Sequence, residues 1–130
     1  MITSIIELLS RATNVLTLKG CSPSDTETAE KNLGLSFSDE YKTYTETFGA
    51  VSVAGKQITG VVPYPDINVV TVTKSAKEYF PYIPKSWYVI YDSHINDLIH
   101  WQDADGHIYQ TIPGSNPTLI ANSLYEYLSL

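Results

Sequence analysis

The chain has 130 residues, of which 43% are hydrophobic and 17% are charged. This length and composition predict a single domain over residues 1–130, with a core that needs no disulfide or metal to hold it together. The formal net charge of −6 disfavours nucleic acid and anionic lipid as partners. The one cysteine excludes an internal disulfide. The lack of a long apolar run and of a signal-peptide pattern predicts a cytoplasmic protein with no membrane partner.

The first part of the chain has the periodicity of helices. Apolar residues at three-and-four spacing predict an amphipathic helix over residues 2–18. A second helix is predicted over Pro23–Leu33, because Ser22 supplies an N-cap, a proline occupies the first helical position, and Gly34 follows as a C-terminal stop.

A third helix is predicted over Asp39–Phe48, between a serine N-cap and a closing glycine. Its first turn holds Asp39 and Glu40, where carboxylates favour the positive end of the helix dipole. Residues 51–60 then alternate around a tight turn at positions 55–56, which predicts a β-hairpin. The chain therefore changes from helices to a sheet at this point.

The middle of the chain gives an ambiguous signal. Residues 61–67 contain two prolines and predict an extended connection that cannot form a central strand. The next stretch is rich in β-branched residues, yet the apolar positions of residues 69–79 have helical spacing, and Asn68 is a suitable cap. Of the two alternatives we favour a helix.

The last third of the chain predicts three strands and a helix. Residues 87–91 form a dense aromatic and β-branched run that indicates a central strand, and residues 97–102 form the next one. Turn residues at 103–106 lead into a third strand over 107–112. Apolar spacing within residues 119–128 predicts a terminal helix. The predicted fold class is α+β, with N-terminal helices, a central, mainly antiparallel sheet and a C-terminal helix.

Three histidines form the strongest catalytic signal. His94, His100 and His107 lie among several aspartates, and imidazole with carboxylate is a ligand set for zinc or iron. Their spacing matches no ligand motif, which favours ordinary strand-end and turn histidines. The chain also lacks the glycine-rich motifs that cradle nucleotide phosphates. We therefore expect no catalytic residue, no cofactor and no bound metal.

The distribution of charge is more informative. Residues 86–130 contain five acidic side chains and no Lys or Arg, and ten of the fifteen aromatic residues lie from Tyr79 onward. A strand alternates its faces, so one alternate set within residues 87–91 should point away from the core. Exposed rings beside carboxylates suit a basic protein partner, such as a nuclease. The alternative is that the rings are core and the acids are solvated turn residues. The candidate binding residues are Asp92, Asp97, Trp101, Asp103, Asp105 and Tyr109.

Several local patterns resemble the SUKH superfamily. They are Glu30, Leu33-Gly34, Asp39-Glu40-Tyr41-Lys42 and Phe48-Gly49, followed by Gln57-Ile58-Thr59-Gly60, Val89-Ile90-Tyr91-Asp92, Asp105-Gly106 and a terminal Ser123-Leu124-Tyr125-Glu126-Tyr127-Leu128. Most of the chain from Pro23 onward is covered. The chain departs from the pattern at residues 36–38, where the superfamily usually has Leu-Pro, and at Ala50, where a second glycine is common.

The resemblance implies an α+β domain without catalysis. Such domains occur mainly as bacterial immunity proteins that bind and neutralise polymorphic or contact-dependent toxins, often nucleases, and in a minority as fungal cell-wall assembly regulators. The resemblance also implies that Gly34, Tyr41, Phe48, Gly49 and Gly60 shape the fold. We therefore expect an immunity protein for a cognate toxin. The alternatives are a non-catalytic adaptor in cell-wall or envelope regulation and, second, a small metal-dependent enzyme built on the three histidines.

Overall fold

The computed structural model describes residues 2–129, in which five α-helices and seven β-strands are assigned. The helices are α1 (Ile2–Arg11), α2 (Pro23–Leu33), α3 (Asp39–Phe48), α4 (Val69–Tyr79) and α5 (Leu124–Ser129). The strands are β1 (Leu16–Thr17), β2 (Val51–Val53), β3 (Lys56–Ile58), β4 (Tyr88–Asp92), β5 (Ile99–Gln102), β6 (Ile108–Thr111) and β7 (Thr118–Ala121). The predicted α+β class is confirmed. None of the described helices is long and apolar enough to cross a membrane.

The helix caps predicted from the sequence are present. At the start of α2, the Ser22 hydroxyl accepts the backbone N–H of Asp25, and the Asp25 carboxylate accepts that of Ser22. This reciprocal capping box satisfies two N–H groups that lack helical partners. Gly34 closes the helix at a φ of 68°. The side-chain oxygen of Asn68 accepts the backbone N–H groups of Val70 and Thr71 in the first turn of α4, and the helix predicted over residues 69–79 is confirmed.

The first helix is shorter than predicted. Helix α1 ends at Arg11, and the predicted continuation to residue 18 is wrong. Asn14 adopts a left-handed φ of 59°, a conformation that asparagine reaches more readily than most residues. The chain reverses there and enters β1, which pairs antiparallel with β2. Apolar spacing alone therefore extended the prediction past a local turn.

The strands form two antiparallel sheets, in the orders β1-β2-β3 and β4-β5-β6-β7. The β2–β3 turn lies at Ala54 and Gly55, which both have positive φ, so the turn predicted at positions 55–56 is one residue too late. The backbone N–H of Thr59 donates to the Ile90 carbonyl at 2.9 Å and brings the end of β3 beside β4. The predicted central strand is thus the first strand of the four-stranded sheet, with the other sheet at its side.

The segment before the last helix is a strand. Residues 118–121 form β7 and pair with β6, whereas the sequence predicted a helix that began at residue 119. Helix α5 begins only at Leu124, after Ser123, whose hydroxyl accepts the N–H of Glu126 at 3.0 Å. The residues that suggested one helical face are therefore divided between an edge strand and a short helix.

Both faces of β4 are buried, which contradicts the prediction that one set of its side chains points away from the core. Tyr88 and Ile90 lie in a core that they share with helices α1, α3 and α5. Trp87 and Val89 lie in a second core, formed with Phe80 at the end of α4. The four-stranded sheet is consequently a middle layer, and its rings are available to a partner only near the ends of the strands.

Candidate functional site

The four predicted aspartates lie at the two opposite ends of the four-stranded sheet. Asp92 ends β4 and Asp97 lies in the loop to β5, whereas Asp103 and Asp105 lie in the turn between β5 and β6. Strand β5 separates the two pairs by four residues, about 13 Å at the usual rise of an antiparallel strand. The structure therefore provides two acidic ends in place of the single predicted surface.

Trp101 is wrong as a candidate binding residue, because its side chain is 0% exposed. Its ring packs edge-on against Phe80, with the centroids 6.2 Å apart, and its indole N–H donates to the Thr111 hydroxyl at 2.7 Å. A buried indole with its polar hydrogen satisfied is a core residue. The alternative interpretation, in which the rings belong to the core, is correct at this position.

Tyr109 is half-buried and belongs to the β5–β6 end of the sheet. Its ring stacks on Trp87 with the centroids 4.1 Å apart and the planes inclined by 10°. Its hydroxyl donates to the Asp103 carboxylate at 3.0 Å. Burial and this bond to the carboxylate both raise the pKa of Tyr109. The ring therefore supports the turn and presents only part of its surface to solvent.

Asp103 organises the β5–β6 turn. One oxygen of its carboxylate accepts the backbone N–H groups of Asp105 and His107, each at 3.0 Å, and the other lies 3.4 Å from the His107 ring nitrogen Nδ1. The side chain of Asp105 is exposed and accepts no hydrogen bond from any residue that the structure describes. Of this pair, Asp105 is free to meet a partner, whereas replacing Asp103 would disturb the turn itself.

The structure does not bring together the three histidines on which the alternative of a metal-dependent enzyme depends. His94 is exposed beside Asp92, His107 lies at the opposite end of the sheet, and His100 is buried between them. Within residues 2–129, the potential metal ligands that do come together are Asp103, Asp105 and His107, with ligand atoms within 4.8 Å of one another. The hydrogen bonds that shape the turn account for this grouping.

His100 belongs to a polar chain that the sequence did not reveal. The Lys56 ammonium lies 4.7 Å from the ring centroid of Tyr127 and 5.3 Å from that of Tyr91. It also donates to the Tyr127 hydroxyl at 3.4 Å, and that hydroxyl bonds Nδ1 of His100. The other ring nitrogen, Nε2, lies 2.9 Å from the side-chain amide oxygen Oε1 of Gln110, which can only accept. The proton of the neutral ring is therefore on Nε2.

The buried position of His100 predicts that the domain becomes less stable at mildly acidic pH. Burial lowers the pKa of His100 below its usual 6.5, the positive charge of Lys56 lowers it further, and the bond to Gln110 opposes them in part. As pH falls, the imidazole of His100 therefore binds a proton at a higher pH in the unfolded state than in the folded state. The free energy of unfolding should be independent of the protonation of His100 above pH 7 and should decrease below about pH 6.5. This one group can lower it by up to about 1.4 kcal/mol per pH unit.

Urea unfolding at several pH values between 7.5 and 5 measures this effect. The variant His100→Gln should show a weaker pH dependence of the free energy of unfolding than wild type. The matched variant His94→Gln should keep the wild-type pH dependence, because His94 is exposed. Equal slopes for wild type and His100→Gln would contradict the assignment.

Comparison with known proteins agrees with the resemblance seen in the sequence. A family model described as "SUKH_5: SMI1-KNR4 cell-wall" matches residues 2–129, which is nearly the whole chain. No curated protein matches the sequence. The motif residues Glu30 and Tyr41 have structural roles, because Glu30 accepts the backbone N–H of Phe37 and Tyr41 is fully buried.

Proposed function

The chain belongs to the SUKH_5 family of SMI1-KNR4 proteins, and we propose that it is an immunity protein that binds a cognate toxin domain and holds it inactive without catalysis. Family membership supports a role in toxin immunity or a role of the SMI1-KNR4 kind. The choice of a toxin as partner, and of a nuclease as its class, is our proposal.

The observation that carries the proposal is the excess of carboxylates in residues 86–130, the part of the chain that contains the four-stranded sheet. Residues 86–130 contain no Lys or Arg, and the exposed Asp97 and Asp105 extend this negative charge to both ends of the four-stranded sheet. A nuclease must attract phosphates and therefore carries a basic surface. An acidic inhibitor is complementary to such a surface, which favours rapid and specific association.

Partner capture from the native cells tests the proposal. Tagged protein is bound to resin and washed at low and then high salt, and the retained proteins are identified by mass spectrometry. We expect a stoichiometric toxin domain that survives high salt, because lasting neutralisation requires nanomolar or tighter binding, about −12 kcal/mol. Expression of that domain should then arrest growth unless the wild-type chain is present. A captured domain whose toxicity is unaffected by the chain would contradict the proposal.

The contribution of charge is measured by the association rate. The double variant Asp97→Lys/Asp105→Lys should slow association with the captured domain by about tenfold at low salt and flatten its salt dependence. The matched control is Glu27→Lys/Glu78→Lys, which changes two exposed carboxylates on helices α2 and α4 and shifts the net charge equally. Equal association rates for the two double variants would show that the carboxylates at the ends of the four-stranded sheet do not attract the partner.

A role as an adaptor in cell-wall or envelope regulation is the second candidate, because the description of the matching family names the cell wall. This adaptor would also be a non-catalytic binding module, but its partner would come from the host's own envelope or regulatory machinery. Recovery of such proteins in the capture experiment, without a toxin domain, would favour this candidate over immunity.

A further inference from the structure

We infer that the groove between the β4–β5 and β6–β7 loops is the docking surface for the protein partner, and that it receives an apolar side chain flanked by Lys or Arg. We call it the loop-end groove and define it by residues 93, 95–98 and 112–113. The inference rests on the proposed function, because it specifies where the partner binds. It assigns a contact to Ile95 and Ile112, which the sequence analysis did not select.

The loop-end groove has a volume of about 590 Å³. Its walls are largely apolar, because Leu98 and Pro113 line it together with Ile95, which is 67% exposed, and Ile112, which is 37% exposed. Adjacent apolar side chains around a cleft differ from scattered surface residues, because together they can enclose one anchoring side chain of a partner. The shape of the groove therefore suits a protruding apolar group.

The loop that carries Ile95 is held in one conformation by its own hydrogen bonds. The Ser93 hydroxyl accepts the N–H of Ile95 and lies 2.8 Å from the Leu98 carbonyl oxygen, to which it donates. The backbone N–H groups of Ser93 and Leu98 close the same loop through the carbonyls of Leu98 and Ile95. A loop ordered before binding loses little conformational freedom when a partner docks, so more of the contact energy becomes affinity.

Charge identifies the occupant of the groove. Asp97 is the charged side chain of the lining, no lining residue is Lys or Arg, and Asp92 ends the adjoining strand with its carboxylate 3.8 Å from Nδ1 of His94. An apolar anchor with Lys or Arg beside it would pair with these carboxylates at the rim. A second copy of this chain would instead bring like charges together, which costs free energy. The loop-end groove therefore favours a basic partner over self-association.

A displayed library of random peptides tests the inference without knowledge of the toxin. We expect selection against the full-length protein to enrich peptides in which an apolar residue is flanked by Lys or Arg. A synthetic copy of one enriched peptide is then titrated by calorimetry. Its affinity should fall about tenfold or more for Ile95→Ser, which removes the apolar side chain, and further for Ile95→Arg, which also repels the peptide.

The matched control is Leu16→Arg, which changes another exposed apolar residue, on β1 in the other sheet, and should leave the affinity within twofold of wild type. Thermal unfolding of each variant verifies the fold, and little change is expected because both residues are exposed. Failure to enrich such peptides, equal binding to Ile95→Arg and wild type, or a stable dimer through this groove would overturn the inference. A toxin neutralised equally well by Ile95→Arg would overturn the docking surface and leave the proposed function intact.

Discussion

Replacing Gly60 with alanine should destabilise the domain by about 4 kcal/mol or more, enough to unfold much of the population. A Cβ atom on Gly60 would lie 1.7 Å from the carbonyl oxygen of Gly49. Neither backbone segment is free to move. The Gly60 N–H donates to the Ile67 carbonyl at 2.9 Å, and the Gly49 carbonyl already accepts the Thr45 hydroxyl at 2.7 Å. Urea unfolding followed by circular dichroism measures the loss.

The matched control is Gly55→Ala in the β2–β3 turn. Nothing lies within 4 Å of a Cβ atom placed there, although φ is +78°. Only backbone strain then opposes the methyl group, at about 1–2 kcal/mol. We expect Gly55→Ala to keep a urea transition close to that of wild type and Gly60→Ala to unfold at a much lower urea concentration. A free energy of unfolding for Gly60→Ala within 1 kcal/mol of that of Gly55→Ala would contradict the close approach of the two segments.

The resemblance implied that Gly49 and Gly60 shape the fold, but the sequence could not show how. The two residues are eleven positions apart, and their contact arises only when the end of helix α3 meets the segment after β3. Local features were predicted more accurately, because a helix cap depends on neighbours within one turn. The caps at Ser22, Ser38 and Asn68 were therefore correct in both position and type.

The surface of the sheet was predicted poorly for a related reason. Alternation in β4 indicates two faces but not what covers each of them. Helix α4 covers the face of the sheet that carries Trp101. The sequence analysis chose this residue as a binding anchor, but it is buried in the core. The exposed isoleucines that line the loop-end groove, Ile95 and Ile112, lie in or next to loops, where periodicity carries no information. The loop-end groove could therefore be found only from the structure.

Glu40 shows how the same limitation affects a polar residue. The sequence placed it in the first turn of α3, where its charge would favour the helix dipole. In the structure its carboxylate is 8% exposed and reaches the start of α5. One oxygen accepts the N–H of Leu124 at 2.6 Å, and the other accepts that of Tyr125 at 2.9 Å. A carboxylate from α3 thus caps a helix more than eighty residues away.

Replacing Glu40 with glutamine should destabilise the domain by about 2–3 kcal/mol, the second-largest effect that we expect. Glutamine keeps the shape but has one acceptor oxygen, so its NH₂ group would face a backbone N–H in a buried position. Two charge-assisted bonds are weakened or lost, and one donor is left without a partner. Urea unfolding gives the overall loss. Hydrogen exchange at the backbone amides of Leu124 and Tyr125 gives the local loss of protection, which should exceed the loss of protection elsewhere in the core.

The matched control is Asp39→Asn, which makes the same carboxylate-to-amide change one residue earlier. Asp39 is exposed and lies in the same first turn, so its charge contributes only the dipole effect, about 0.3–1 kcal/mol. If Glu40 acted mainly on the α3 dipole, as its position in the sequence suggested, the two variants would lose similar stability and α5 would keep its protection. A larger loss for Glu40→Gln, concentrated in α5, would show that the carboxylate joins helix α3 to helix α5.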